Sequence, residues 1–369
     1  MQPKKFEIDL FRPSVPPLEA YTSYLKLMDE RRMFSNFGPL HNAFANKLSQ
    51  QFGVEEKNIT LFSSGTMALT AALHSLKKAG KQYCLLPSWT FVASTQAVLA
   101  AGLTPIFVDV NIDSMQISKD DLLSVPLDLI KETSVLLLVS PFGAPMEVDG
   151  FEEIAQKYDF SVLCDCAAGF ESTYKPAFHS VVSLHATKTL GIGEGGALIS
   201  KDDALAINSK SYTNFGFEGG RSSLFEGVNG KLSEVHASIG LGALDVWPES
   251  KDLYYAKSSA YLEKASKLSH IFTFQNGWGI NWVSSTCVIR FKSRSLKTIA
   301  AQLLDEAGIQ TRDWWNGGCH AEPAFKSMRT VGDLPNTKVL AEITIGIPFY
   351  RDIEDSKIEK IINTLRLFK

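Results

Sequence analysis

Residues 183–200 read SLHATKTLGIGEGGALIS, and the rest of the chain is organised around them. A short apolar run, Val181 to Leu184, leads into this stretch, and a second run, Ala197 to Ile199, follows its glycines. Small residues of this kind let a planar ligand approach the backbone. The pattern therefore predicts a turn between strands, with Lys188 on the turn.

Lys188 is the candidate reactive group of this turn. Most lysines are solvated surface charges, but an ordinary surface turn does not need Ser, His and Thr ahead of a lysine and four glycines behind it. A lysine amine in a partly desolvated pocket can lose its proton and form a Schiff base with a carbonyl. Residues 191–196 also satisfy G-x-G-x-x-G, but a dinucleotide fingerprint follows a strand and opens a helix, whereas these glycines precede a strand. The dinucleotide interpretation is therefore rejected.

The composition is that of an ordinary globular protein with room for one large and one small domain. The chain has 369 residues, 45% of them hydrophobic and 21% charged, which gives ample core material. A formal net charge of −3, spread without blocks, predicts no nucleic-acid or anionic-membrane partner. No signal-peptide core or apolar run of membrane-spanning length is found, so the sequence predicts a cytoplasmic protein.

The cysteines argue against a metal site. Five of them are scattered along the chain, as in a cytosolic enzyme with reduced thiols. Cys164 and Cys166 lie close together, but no second close pair completes a tetrahedral site. No metal is predicted.

Strands alternate with helices from residue 59 to residue 165. Each strand is a nearly unbroken apolar run, which predicts a buried, mostly parallel sheet covered by helices on both faces, the α/β class. Ligands on such sheets bind at the carboxyl ends of the strands. Residues 63–66, residues 87–91, Asp165 and the Lys188 turn all fall there.

The chain divides into three parts by this pattern. Residues 1–17 form an extended arm that contains prolines, residues 18–247 a large domain, and residues 248–369 a smaller α/β domain. A long helix over 251–268 is expected to cross to the smaller domain. Strands over 281–291 and 342–347 and helices over 295–307 and 353–368 are expected within it.

Two polar features of the sheet edge have a structural and a functional interpretation. Asp165 directly follows a buried strand, where a carboxylate is costly unless a cation or hydrogen-bond donors accompany it. The alternative is an aspartate that caps the next turn. Residues 63–66 join a strand to a helix, so their free N–H groups can bind an anion. Plain N-capping by Ser or Thr explains them equally well.

With these pieces placed, the sequence resembles the fold-type I, pyridoxal-phosphate-dependent aminotransferases of the DegT/DnrJ/EryC1/StrS group. The resemblance extends from residue 36 to the motif around His320. It is most specific at Ser183-x-His185-x-Thr187-Lys188 and at Gly193-Glu194-Gly195-Gly196, and other matching stretches are 64–69, 87–93 and 165–167.

The resemblance implies a role for particular residues of this chain. Lys188 would bind the cofactor covalently and then move a proton between substrate and cofactor. Asp165 would keep the pyridine nitrogen protonated, and Phe91 would stack on the ring. The phosphate would be held by Gly65, Thr66 and Ser183. Asn229 would reach the phosphate of a neighbouring subunit, which implies a homodimer with shared active sites.

The resemblance also implies the reaction. An amino acid, L-glutamate in most of the family, would leave its amine on the cofactor, and the amine would pass to a keto group of a nucleotide-linked deoxysugar. Surface-polysaccharide, including lipopolysaccharide, or natural-product biosynthesis is the expected context.

Departures from the family pattern concern the acceptor pocket. Ala168 stands where the family usually has Gln or His, and Gly230-Lys231 replaces an aromatic-basic pair. The segment that ends in a histidine runs from Trp315 to His320 here, and both residues are predicted to bind substrate in a reshaped pocket.

Other interpretations remain open beside the sugar aminotransferase. Dehydratase relatives carry a histidine at the lysine position, so Lys188 argues against them. Aminotransferases that act on cyclitols or other ketones without a nucleotide keep the lysine. A non-catalytic regulatory relative is suggested by Ala168 and Gly230, but the joint presence of Lys188, Asp165 and Ser183 speaks against it.

Overall fold

The computed structural model describes residues 5–173 and 178–367. Its helices are α1 Leu18–Arg31, α2 Pro39–Phe52, α3 Gly65–Leu76, α4 Val92–Ala100, α5 Lys119–Leu123, α6 Leu127–Lys131, α7 Phe151–Tyr158, α8 Asp203–Tyr212, α9 Glu234–Asp245, α10 Trp247–Lys264, α11 Arg294–Glu306, α12 Pro335–Ile343 and α13 Asp355–Leu365. Its strands are β1 Ile59–Phe62, β2 Tyr83–Pro87, β3 Thr104–Val108, β4 Thr133–Val139, β5 Ser161–Asp165, β6 His179–Ser183, β7 Gly196–Ile199, β8 Phe272–Phe274, β9 Cys287–Phe291, β10 Arg329–Thr330 and β11 Thr344–Ile347.

A large, mostly parallel sheet forms the centre of the molecule. Its strand order is β1-β7-β6-β5-β4-β2-β3-β10, in which β7 runs antiparallel to both of its neighbours and the other pairs are parallel. Every position of β1, β4 and β7 is buried, because these apolar runs face helices on both sides. The predicted α/β class is confirmed.

A smaller antiparallel sheet, β11-β9-β8, lies in the C-terminal part of the chain. Its core includes residues of α10, α11 and α13, and it also contains Ile8 from the N-terminal arm. The arm is tied there by backbone bonds from Ile8 N to Gly308 O and from Gln310 N to Ile8 O, at 3.2 and 2.9 Å. Strand β10 crosses back and extends the large sheet beside β3. The division at residue 247 therefore stays a prediction, with both ends of the chain reaching across it.

Most elements begin and end close to their predicted positions, and the differences have local causes. Helix α10 begins at Trp247 rather than at Lys251, because Pro248 fits the first turn of a helix. Strand β9 begins only at Cys287, since the chain before it turns around the bond from Trp282 Nε1 to Asn276 O. Residues 1–4 of the predicted arm and Phe368, the predicted end of the last helix, lie outside the described residues. Within the described ranges, no helix has both the length and the apolar character to cross a membrane.

Candidate active site

A cavity of about 560 Å³ lies at the carboxyl edge of the large sheet. The segments that follow β1, β2, β4, β5 and β6 all reach it, because parallel strands end at the same edge. It brings together predicted residues that are as many as 250 positions apart in sequence, namely Gly65, Thr66, Phe91, Asp165, Ser183, Lys188 and Trp315. Asn229 and His320 do not line it.

The loop between β6 and β7 presents Lys188 to this cavity. The loop is held by backbone bonds from Lys188 N to His185 O and from Ala186 N to Gly193 O, at 2.8 and 2.9 Å. Gly191 is required by close approach, since a Cβ there would lie 2.5 Å from Ser14 O. Burial lowers the pKa of Lys188, and the nearby Asp165 carboxylate opposes this shift. The amine therefore loses its proton more readily than an ordinary lysine, as a nucleophile requires.

Asp165 is the last residue of β5 and is almost fully buried. Its Oδ2 accepts a hydrogen bond from Ser94 Oγ at 2.7 Å, and its Oδ1 accepts one from Ala167 N at 3.1 Å. Burial raises the pKa of Asp165, whereas these two bonds and the Lys188 charge act in the opposite direction. The carboxylate is thus placed to pair with a cationic ring nitrogen inside the cavity.

Ser94 was missed by sequence analysis. Its hydroxyl lies 2.8 Å from Thr90 Oγ1. Since Ser94 donates its proton to Asp165 Oδ2, Ser94 Oγ accepts from Thr90, which gives a donor chain that ends at Asp165. No motif marks Ser94, because the sequence does not show that the first turn of α4 faces the end of β5.

The start of α3 forms one end of the cavity and has free backbone N–H groups. Ser64 caps the helix, and its Oγ accepts from Met67 N at 3.1 Å. The N–H groups of Gly65 and Thr66 belong to the first turn, so no carbonyl within the helix can accept from them. A Cβ on Gly65 would lie 2.9 Å from the Ser183 Cβ, so glycine allows the helix end to approach β6. The Ser64 cap therefore leaves the N–H groups of Gly65 and Thr66 free, and such groups can bind an anion.

His185 precedes the lysine and has a defined tautomer. Its Nδ1 accepts from Thr187 N at 3.2 Å and lies 2.8 Å from Thr187 Oγ1. The neutral ring therefore carries its proton on Nε2, which lies 3.6 Å from Glu194 Oε1. This arrangement fixes the imidazole at the cavity wall.

An aromatic wall faces the Lys188 loop. Trp315 stacks on Phe142, with ring centroids 4.1 Å apart and an interplanar angle of 8°, and meets Trp89 edge-on at 5.2 Å. Trp314 also lines the cavity. Sequence analysis identified Trp315 but missed Phe142 and Trp314. Aromatic faces of this kind provide apolar contact area for a substrate ring.

Ala168 lines the cavity, and its small side chain leaves space there. The backbone beside it is tightly packed, since a Cβ on Gly143 would lie 2.5 Å from Ala168 O. Gly143 has a φ of 99°, which also favours glycine. The opening left by Ala168 is therefore bounded by a rigid backbone.

His320 contacts Ser88, in the loop after β2. Its Nδ1 lies 2.7 Å from Ser88 Oγ, and its backbone N donates to the same hydroxyl at 3.1 Å. Cys319 N adds a bond to Ser88 O at 2.8 Å. These contacts join the segment that carries Trp315 to the loop after β2. The predicted contact of His320 with substrate stays a prediction.

Asn229 is exposed and lies beside Asn214 in an isolated β-bridge. Its predicted contact with the phosphate of a neighbouring subunit stays a prediction. The adjacent Gly230 is dictated by packing, because a Cβ there would lie 2.6 Å from Met67 Cγ. Lys231 donates to Asn214 Oδ1 at 3.0 Å and so does not enter the cavity.

The family model that describes the DegT/DnrJ/EryC1/StrS aminotransferase family matches residues 19–366. The chain belongs to this family. A curated relative from Mycobacterium bovis, Protein Mb3436c, is 30% identical over 96% of this chain and 89% of its own length. The dTDP-4-amino-4,6-dideoxy-D-glucose transaminase of Escherichia coli is 28% identical over 97% of this chain and 98% of its own.

Solved structures share the fold of this aminotransferase. DesI, solved in the presence of its TDP-sugar product, has a TM-score of 0.87 at 24% identity, with 99% of this chain and 93% of that chain covered. NtdA from Bacillus subtilis, solved with bound cofactor PMP, has a TM-score of 0.82 at 21% identity and covers 95% of this chain and 82% of that one. The fold-type I architecture is thereby confirmed.

The residues of the cavity fit pyridoxal phosphate, the cofactor that the sequence predicts and the family indicates. Lys188 supplies an amine whose pKa is lowered, for the aldehyde. Asp165 supplies a buried carboxylate, for the pyridine nitrogen. The first turn of α3, with the Ser183 hydroxyl beside it, supplies donors for the phosphate. These groups lie on different walls of one cavity, as the separate polar parts of the cofactor require.

Proposed function

We propose that this aminotransferase uses pyridoxal phosphate to transfer an amino group from L-glutamate to the keto group of a nucleotide-linked deoxysugar. The observation that carries the proposal is the meeting of Lys188, Asp165 and the α3 start on one cavity. The acceptor is suggested by the E. coli relative, a transaminase of a dTDP-linked sugar, and by the GDP-perosamine synthase of E. coli O157:H7, which is 28% identical over 64% of this chain.

The bound cofactor supplies an electron sink for the carbanion that forms at the reacting carbon. Lys188 Nζ would hold the cofactor until the donor amine displaces it, and the freed Lys188 amine would then take the proton from the α-carbon of the donor. Asp165 would keep the ring nitrogen protonated, and Ser94 holds the Asp165 carboxylate in place through the 2.7 Å bond. Gly65, Thr66 and Ser183 fix the phosphate, so the ring is oriented against the amine.

Phe91 and Asn229 are proposed to act at a subunit boundary. Phe91 lines the cavity yet remains 57% exposed, and it would cover one face of the cofactor ring. Phe215 and Leu224, in the loop before Asn229, are also exposed, at 44% and 62%. Large apolar side chains are more stable when buried in a subunit interface than when exposed to water. We therefore include a homodimer, in which Asn229 reaches the partner's phosphate site, in the proposal.

The near-visible absorption spectrum tests the donor half of the reaction. The protein reconstituted with pyridoxal phosphate should show the absorption band of the lysine-bound cofactor, and L-glutamate should convert it to the spectrum of the amine form. A dTDP-linked 4-keto-6-deoxysugar should then restore the first spectrum, and mass spectrometry should detect the aminated nucleotide sugar.

Lys188→Ala is the decisive variant. It should keep the fold and bind the cofactor without the lysine-bound band, and its turnover should fall by a factor of about 10³ or more, because both covalent attachment and proton transfer are lost. Wild-type-like turnover in this variant would refute the assignment. Absence of the band in folded wild-type protein would favour a non-catalytic relative.

A further inference from the structure

Arg312 is a cation on the cavity wall that the family resemblance leaves without a role. It lines the same cavity as Lys188. Among the ion pairs that the described residues form, none includes Arg312. Its side chain is exposed to the cavity and to the groove outside it, which Phe91 and Trp315 also line.

The Arg312 guanidinium is held in a defined position. Its central carbon lies 5.1 Å from the ring centroid of Phe11 and 5.0 Å from that of Trp314. Its main chain forms two bonds with Gly346 of β11, from Arg312 N to Gly346 O at 3.1 Å and from Gly346 N to Arg312 O at 2.8 Å. A guanidinium group, with its fork of N–H donors, loses little conformational entropy on binding a ligand when it is already ordered.

The acidic groups around Arg312 have other partners. Asp313 lies 2.8 Å from Lys297, and Glu322 accepts from Asn316 at 2.8 Å. Within the cavity, Asp165 is bound by Ser94 and Ala167, and Glu194 Oε1 lies 3.6 Å from His185 Nε2. Among the described residues, no carboxylate forms an ion pair with the guanidinium, so its donors can bind an incoming anion.

We propose that Arg312 is the anchor for the oxyanion of the substrate. This inference rests on the proposed function, because it assumes that the cavity admits the amino donor and the nucleotide-linked acceptor in turn. Either ligand brings paired oxygens that match a guanidinium fork, as the carboxylate of the donor or as a phosphate of the acceptor. Trp314, whose ring centroid lies 5.0 Å from the guanidinium carbon, and Trp315 line the same cavity and would contact the carbon skeleton of the same ligand.

Binding of unreactive probes to the cofactor-loaded protein tests the anchor without turnover. The probes are dTDP, which carries phosphates, and glutarate, which carries carboxylates, each titrated by calorimetry into wild type, Arg312→Gln and Arg312→Lys. We expect Arg312→Gln to weaken binding of at least one probe by about 10- to 100-fold, the size of one bidentate charge-assisted contact. Arg312→Lys should lose less, because it keeps the charge but not the fork.

Arg294→Gln is the matched control, since Arg294 is an exposed arginine of α11 that pairs with Glu342 outside the cavity. It should change neither affinity. A loss for dTDP alone identifies the phosphate as the ligand of Arg312, a loss for glutarate alone identifies the carboxylate, and a loss for both indicates that the two share the site.

The anchor would be overturned by unchanged affinities in a folded Arg312→Gln protein, or by wild-type protein that binds neither probe. The proposed function fails separately, if the wild type binds the probes but does not transfer an amino group. Conversely, wild-type turnover with an unchanged KM for both substrates in Arg312→Gln would remove the anchor and leave the proposed function standing.

Discussion

Ser94→Ala removes the donor that holds the Asp165 carboxylate. Ser94 is almost fully buried, and its Oγ lies 2.7 Å from Asp165 Oδ2. Alanine leaves the packing nearly unchanged but removes the hydroxyl. The carboxylate then keeps the bond from Ala167 N at 3.1 Å and the charge of Lys188.

The size of the effect depends on the charge of Asp165. A hydrogen bond to an ionised group contributes about 1.5–3 kcal/mol, whereas a bond between neutral groups contributes about 0.5–1.5 kcal/mol. Ser94→Ala should therefore cost about 1 kcal/mol more when Asp165 is ionised than when it is protonated. Because the lost bond favours the ionised form, Ser94→Ala should raise the pKa of Asp165 further.

The sign of the pH dependence follows from the direction of the shift. Burial raises the pKa of Asp165 above its usual value, so the folded state binds this proton more tightly than the unfolded state. The contribution of Asp165 to stability therefore falls as the pH rises from the usual value through the folded pKa. Ser94→Ala raises that pKa further. The loss in unfolding free energy that it causes should therefore be small at low pH and reach its full size above the folded pKa of Asp165.

Chemical unfolding of the cofactor-free protein measures how the stability loss caused by Ser94→Ala depends on pH. The unfolding midpoints of wild type and variant are compared at about pH 5, 7 and 8.5 at a constant denaturant slope. In the loaded enzyme, the variant should also show a lower kcat, because a less ionised Asp165 holds the ring nitrogen more weakly.

Ser258→Ala is the matched control. Ser258 is a fully buried helical serine whose Oγ donates to the neutral carbonyls of Tyr254 and Tyr255, at 2.9 and 3.0 Å. The loss in unfolding free energy caused by Ser258→Ala should not vary with pH. A cost of Ser94→Ala that is equally independent of pH would refute the charge-assisted bond to Asp165.

Two further predictions concern the phosphate end and the aromatic wall. Gly65→Ala places a Cβ 2.9 Å from the Ser183 Cβ, so we expect a loss of about 1–3 kcal/mol in unfolding free energy and weaker binding of pyridoxal phosphate in a cofactor titration. Gly220→Ala, where no atom lies within 4 Å, should change neither, and equal effects would contradict the steric argument. Because the 2.7 Å bond between Ser88 and His320 positions a cavity wall, Ser88→Ala and His320→Ala should raise the KM for the sugar by similar factors with kcat little changed. A double-mutant cycle should give a coupling of about 0.5–1.5 kcal/mol in unfolding free energy, and a KM effect confined to His320→Ala would instead indicate direct contact with substrate.

The local elements of the site could be predicted because each depends on neighbours in the chain. The Lys188 turn is marked by two apolar runs around a cluster of glycines, and β6 and β7 form there. Asp165 is marked by the apolar run before it, and it ends β5. Alternation of apolar runs with helical segments was enough to predict the sheet edge at which these residues meet.

The sequence by itself determined the α/β class, and it predicted the reactive lysine, the buried aspartate and the anion-binding helix start, since each is a pattern within one or two adjacent elements. Only the tertiary structure decided that Ser94 holds Asp165 across 71 residues, that Ser88 bonds to His320 across 232, and that Arg312 faces the cavity between two aromatic rings. Such contacts depend on the order of strands in the sheet, β6-β5-β4-β2, and on the return of the C-terminal segment to β3. Local propensity and periodicity carry no information about that order, because it is fixed by the packing of the whole core.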